Sequence, residues 1–107
     1  MSGSLGDMGS LLRQAQEMQR ELDRVREELK SAVVEGSAGG GVVRVELSGD
    51  RKAQSVHIDP EVLAQGDASV LEDLVLAALR DALSRAQALS DERMGRVTGG
   101  MQLPGLF

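Results

Sequence analysis

The sequence predicts an α+β fold in the order α-β-β-β-α: a long N-terminal helix, a three-stranded antiparallel β-meander and a long C-terminal helix. Three observations carry this reading. An apolar heptad seam runs from Leu11 to Ala32, alternating apolar and polar residues run from Val43 to Ile58, and apolar residues at helical spacing return from Leu71 to Leu89. A period near 3.6 marks an amphipathic helix and a period of 2 marks a half-buried strand. The 107 residues suffice for one domain spanning 1–107, with a lead at 1–9 and a tail at 98–107 that both read as flexible.

Leu11, Ala15, Met18, Leu22, Val25, Leu29 and Ala32 alternate spacings of four and three, the a and d positions of about three heptads. On the flanks Arg13 precedes Glu17, Arg24 precedes Glu28 and Asp23 precedes Arg26 at one-turn spacing. Such pairs contribute about 0.2 to 0.5 kcal/mol each and solubilise the helix. The seam itself fits packing on the second helix or on a twin. The first strand is expected around residues 32 to 36. Gly39, Gly40 and Gly41 read as a hairpin turn, since a strand follows them and the Lys-Ser/Thr of a phosphate-binding loop is absent. Val43, Val45 and Leu47 alternate with Arg44 and Glu46, and after Gly49 and Asp50 the residues Val56 and Ile58 alternate with Ser55 and His57.

Asp59 and Pro60 have the form of an N-cap and first helical residue, giving a short turn that ends near Gly66. The main second helix is expected to open on a capping box of Ser69 and Glu72. Its stripe is Leu71, Leu74, Val75, Ala78, Leu79, Ala82, Leu83, Ala86 and Leu89, and the alanines allow another helix to come close.

With no Trp, no Tyr and a single Phe, the core must be aliphatic. A fully buried aliphatic side chain contributes about 1.5 to 3 kcal/mol, so this core is thin for a monomer and an obligate oligomer is expected. The absence of Cys removes disulfides, thiolate metal sites and cysteine nucleophiles. The single histidine, His57, reads as an ordinary strand residue, and the carboxylates are scattered or paired with arginines. No catalysis, cofactor, metal or small-molecule substrate is therefore expected. With no apolar run of about 18 residues and no export signature, the protein is expected to be soluble, unexported and cytoplasmic.

A net charge of −5 opposes indiscriminate binding to nucleic acid, but the charge is unevenly spread. Residues 8–32 hold five basic and five acidic side chains, residues 70–97 four and five, and the remainder three and seven. The N-terminal half of the first helix is net positive through Arg13 and Arg20. The C-terminal half of the second is net positive through Arg80, Arg85, Arg93 and Arg96. An antiparallel helix pair would bring these halves together, and Arg85, Arg93 and Arg96 share an approximate helical line through Leu89.

Several stretches resemble the YbaB/EbfC family of nucleoid-associated proteins. Gln14, Ala15, Gln16, Met18 and Gln19 resemble its QAQxMQ signature; VEGSAGGGVVRVELSGD, VHIDPEVL and LEDLVLAAL resemble its hairpin, strand end and helix start; GGMQLPGLF resembles its GMxLP ending. The resemblance covers nearly the whole chain in order. It implies a homodimer joined through the sheet region, with paired helices projecting like tweezers. It also implies double-stranded DNA binding, a place in the nucleoid and a part in gene expression. Family proteins are thought to touch DNA with the projecting helices, which makes Arg13, Gln14, Arg20, Arg85, Arg93 and Arg96 the candidates, Gln14 on the motif and the arginines on charge. The lead around Gly3, Gly6 and Gly9 offers no basic arm for a minor groove. Low sequence specificity follows if the contacts are mainly to phosphates. The alternative is a non-catalytic interaction adaptor that clasps another helix in its seam or cleft, which the net acidity favours. Single-strand binding lacks aromatic platforms for base stacking.

Overall fold

A computed structural model describes residues 3–99 of the chain. Helix α1 spans Gly3–Ser31, strands β1, β2 and β3 span Val33–Ala38, Val43–Ser48 and Ala53–Ile58, the short helix α2 spans Pro60–Ala64, and α3 spans Ala68–Val97. The strands form one antiparallel sheet in the order β1-β2-β3. This is the α-β-β-β-α order expected from the periodicities, with α2 at the turn foreseen after Asp59. Residues 3–9, read from the sequence as a lead, are the first turns of α1. Of the tail read at 98–107, Thr98 is the C-cap that follows α3 and Gly99 is a turn residue, and 100–107 lie outside the described residues.

Two devices fix the first half of the sheet. Gly39, Gly40 and Gly41 all take positive φ values, 64°, 74° and 97°, and close the β1–β2 hairpin as expected. At the second turn Ser48 and Lys52 exchange backbone and side-chain hydrogen bonds, Ser48 N–H to the Lys52 carbonyl at 2.8 Å and Lys52 N–H to the Ser48 hydroxyl at 3.1 Å. The register places Gly36 beside Val45 and Val45 beside Val56, so these share one face of the sheet with Val43 and Leu47. That face carries α3.

Two apolar clusters result. In the first, Val43, Val45 and Leu47 pack on Ala78 and Ala82, with Leu71, Leu74, Val75 and Leu79 around them. The alanine stripe thus brings α3 down onto the sheet rather than onto another helix. In the second, Leu22, Val25 and Leu29 of α1 enclose Met94 of α3, flanked by Met18, Leu89 and Val97. The second half of α3 therefore leaves the sheet and runs beside α1. The described chain is long and narrow, 78 × 23 × 16 Å.

The start of α3 differs from the expected capping box. The cap is Asp67, whose carboxylate accepts hydrogen bonds from the N–H groups of Ser69 at 3.0 Å and Val70 at 3.2 Å. Ser69 is already helical. A carboxylate serves the exposed amides better than a hydroxyl because its charge also meets the positive end of the helix dipole. Asp67→Ala is expected to cost about 1 kcal/mol in chemical denaturation. Ser69→Ala, on the helix surface, is expected to leave the midpoint nearly unchanged.

Candidate nucleic-acid interface

The projecting element is α1. Along the α1–α3 contact, Ser90 and Met94 neighbour Leu29 and Lys30, while Arg96 and Val97 neighbour Glu21, Arg24 and Val25. Numbers rise on one helix as they fall on the other, so the pair is antiparallel, as expected. But α3 ends at Val97, opposite the middle of α1. From Glu21 to Arg13 the helix runs on for about 12 Å at 1.5 Å per residue.

This geometry divides the six candidates into three groups. Arg13, Gln14 and Arg20 lie on the projecting half of α1, all exposed. Arg13 and Arg20 are seven residues apart, two turns, and so stand about 10.5 Å apart on one side of the helix, opposite the apolar seam. Arg93 and Arg96 lie on the groove between the helices with Glu21, Arg24 and Glu28. Arg85 is set back toward the sheet. The positive halves of the two helices are therefore not brought together as expected, because α3 spends its first half crossing the sheet and is used up before it reaches Arg13.

The ion pairs sharpen this division. Arg85 Nε donates to Asp81 Oδ2 at 3.2 Å, Arg93 Nη1 to Glu28 Oε2 at 3.4 Å, and Arg96 Nη2 to Glu92 Oε1 at 2.6 Å. Arg24 is held by Glu21 and, at 3.5 Å, by Glu28, and Arg26 by Asp23 at 2.8 Å, so two of the three flanking pairs expected on α1 are formed. The third is not: among the described residues neither Arg13 nor Arg20 has a carboxylate within 4 Å. A single exposed i,i+4 partner with the arginine placed first gives too little to fix two long side chains, whereas Arg24 gains a second carboxylate. Arg80, a further cation of α3, is likewise exposed and without such a partner among the described residues. The sequence already carries the reason: the residues one turn before and after it are Leu76 and Ser84, and neither is acidic.

Asp81 has a second partner. Its carboxylate accepts the Ser37 N–H of the edge strand β1 at 3.0 Å, tying α3 to the sheet. The Ser37 N–H and then the Arg85 guanidinium hold its carboxyl below the ordinary carboxylate range. A pKa depressed in the folded state stabilises above the unfolded value, near 4, and that stability is lost as pH falls through the folded value. Unfolding midpoints measured from about pH 6 to pH 3 are therefore expected to fall, and Asp81→Asn is expected to flatten part of that fall.

His57 lies exposed on β3 opposite Arg44, as an ordinary strand residue. An open hollow of about 240 Å³ between α2 and α3 is lined by Val62, Leu63, Gly66, Ala68 and Leu71, and its one titratable group, Asp67, is the helix cap. Among the described residues no helix is long and apolar enough to cross a membrane. What the arrangement offers is guanidinium groups on an exposed helical arm, the chemistry of phosphate contact.

The sequence profile of the YbaB/EbfC DNA-binding family matches residues 5–101. The chain is 47% identical over 97 residues to a nucleoid-associated protein of Chloroflexus aurantiacus, covering 91% of this chain and 95% of that one. It is 42% identical over 102 residues to a nucleoid-associated protein of Pelotomaculum thermopropionicum, covering 95% and 97%. The crystal structure of an uncharacterized protein from Helicobacter pylori shares the fold, with a TM-score of 0.64 at 24% identity over 92% of this chain and 96% of that one.

Proposed function

The chain belongs to the YbaB/EbfC DNA-binding family, a nucleoid-associated family and not an enzyme family, and on that footing we propose that it binds double-stranded DNA as a homodimer with low sequence specificity, shaping the nucleoid and influencing gene expression from the cytoplasm. The observation that carries the reading is the α1 arm, which projects past the end of α3 with Arg13 and Arg20 on one side and no carboxylate drawing off their charge among the described residues. Contacts between guanidinium groups and phosphates carry no base information, which supports low specificity. Gln14, beside them, has the amide for a base or sugar contact. Arg93 and Arg96 join by exchanging an exposed ion pair for a phosphate, an exchange of small cost because such pairs contribute little; Arg85, whose partner Asp81 also holds Ser37, contributes least.

The sheet supports the dimer. α3 crosses β1 and β2, while the edge strand β3 leaves five of its six residues exposed, among them Val56 at 54%. An edge strand with an uncovered apolar residue is a surface that a second copy completes. Two copies joined there would carry two α1 arms.

The test is fluorescence anisotropy of a labelled duplex of arbitrary sequence, about 30 base pairs, titrated at several salt concentrations beside a single strand. Binding to the duplex with a log-log salt slope near −4, for about four phosphates neutralised per dimer, is the expected result. No binding at low salt would overturn it in favour of the adaptor, which the net acidity and the exposed Met8, Leu11 and Leu12 of α1 favour. Sedimentation showing a stable monomer at micromolar concentration would remove the dimer.

A further inference from the structure

The heptad seam of α1 is covered along only half its length. Leu22, Val25 and Leu29 are buried against Met94, whereas Met8, Leu11 and Leu12 are exposed at 66%, 62% and 61%. Ala15 is exposed too, and Met18, at the boundary, is half-buried. A row of uncovered large apolar side chains marks an interaction surface.

The flanks of the seam narrow the choice of partner. Glu21, Arg26 and Glu28 border its covered half, but Leu12, Gln14 and Gln19 border the open half, with one charge, Asp7, at the tip. A partner with a charged rim finds no complement there. An identical helix meets no repulsion along the rim and finds amides that both donate and accept. Spacing points the same way. Met8, Leu11, Ala15 and Met18 are separated by three, four and three residues, a series that reads the same in both directions. Two copies laid antiparallel therefore face Leu11 with Ala15 twice and Met8 with Met18 twice, large against small at the centre. Laid parallel, they would face Ala15 with Ala15 and leave a gap, which close packing disfavours. Antiparallel packing is also what α3 already provides on the covered half. A second arm prolongs that contact and leaves the two sheets at opposite ends.

We propose that the open seam pairs antiparallel with the same stretch of a second copy, α1 against α1 over residues 8–18, across a two-fold axis. This contact is separate from the β3 edge and does not depend on it. Where the proposed β3 dimer holds, arm pairing links dimer to dimer. Arg13 and Arg20 stand on the opposite side of α1, so pairing leaves the proposed DNA surface open. About three turns of seam bury little surface, which makes the pairing weak and dependent on concentration.

The chain has no cysteine, so introduced thiols report without background. Full chains carrying Leu11→Cys are mixed at high concentration with full chains carrying Ala15→Cys, one set lengthened by a tag so that the products separate by size, and oxidised mildly. The mixed link is expected to form about tenfold faster than in a control mixture of Arg13→Cys with Ala15→Cys, because only the seam pair brings the two Cβ atoms within disulfide reach. The advantage is expected to vanish in denaturant. Equal rates in native buffer would overturn the proposal, and so would Leu11→Cys linking to itself faster than to Ala15→Cys, the parallel result. Sedimentation supplies a second readout: with rising concentration the native chain is expected to form a species of twice the mass seen in dilute solution, and Leu11→Gln to lose it. A mass that does not change with concentration overturns the pairing. Duplex binding and its salt slope are read separately, and Leu11→Gln is expected to keep both, so failure of the pairing and failure of DNA binding are told apart.

Discussion

Replacing Gly36 with alanine is expected to destabilise the protein by about 3 kcal/mol, the upper part of the range for overpacking a tight contact. Gly36 sits in β1 directly beneath α3, and a Cβ built there would lie 2.6 Å from Ala82 Cα and closer still to Ala82 N and the Ala78 carbonyl. The obstructing atoms are backbone, so no rotamer change relieves them. Relief requires α3 to lift from the sheet, which opens the cluster of Val43, Val45, Leu47, Ala78 and Ala82 that the contact holds shut. For a domain of this size about 3 kcal/mol lowers the thermal midpoint by roughly 12 °C or more. Gly95 is the internal contrast. It lies within α3 with nothing inside 4 Å of its would-be Cβ, so Gly95→Ala is expected to stabilise by about 0.5 to 1 kcal/mol through helix propensity. Denaturant titration of the two variants checks both. A neutral Gly36→Ala would mean that α3 does not rest on β1 at this distance.

Gly36 also marks what periodicity conveys and what it does not. The two long helices, the hairpin at Gly39 to Gly41 and the cap at Asp59 were legible because each rests on residues close in sequence. The cap of α3 was misread because two capping frames overlap in Asp67-Ala68-Ser69, and a carboxylate outcompetes a hydroxyl two residues later. The alanine stripe correctly announced a close approach, but not that its partner is a glycine on a strand, since Gly36 and Ala82 are 46 residues apart. The division of the candidate arginines was out of reach for the same reason. Which carboxylate holds Arg93 is decided 65 residues away, at Glu28, and where α3 ends along α1 depends on how much of it the sheet consumes. Local spacing placed the cations on the helices; only the packing showed which of them are unengaged.

That distinction sets the second large effect. A duplex titrated with the Arg13→Ala, Arg20→Ala variant is expected to lose the larger part of the slope near −4, at about 0.9 for each phosphate left unneutralised. Affinity should fall by tenfold or more at low salt. Neither side chain has a carboxylate within 4 Å among the described residues to give up, so their whole charge is available to phosphate. Arg85 stands at the other extreme, because its partner Asp81 also anchors Ser37 of the sheet and cannot turn away without losing that bond. Arg85→Ala is therefore expected to change the slope by less than about half a unit, and to show its effect instead as a loss of stability near neutral pH that fades as pH falls below about 4. Arg93 and Arg96 fall between, each held by an exposed carboxylate that a phosphate can replace. If the α1 variant kept the full slope while Arg93→Ala, Arg96→Ala lost it, the contact surface would be the groove between the helices and the projecting arm would have to act in something other than phosphate binding.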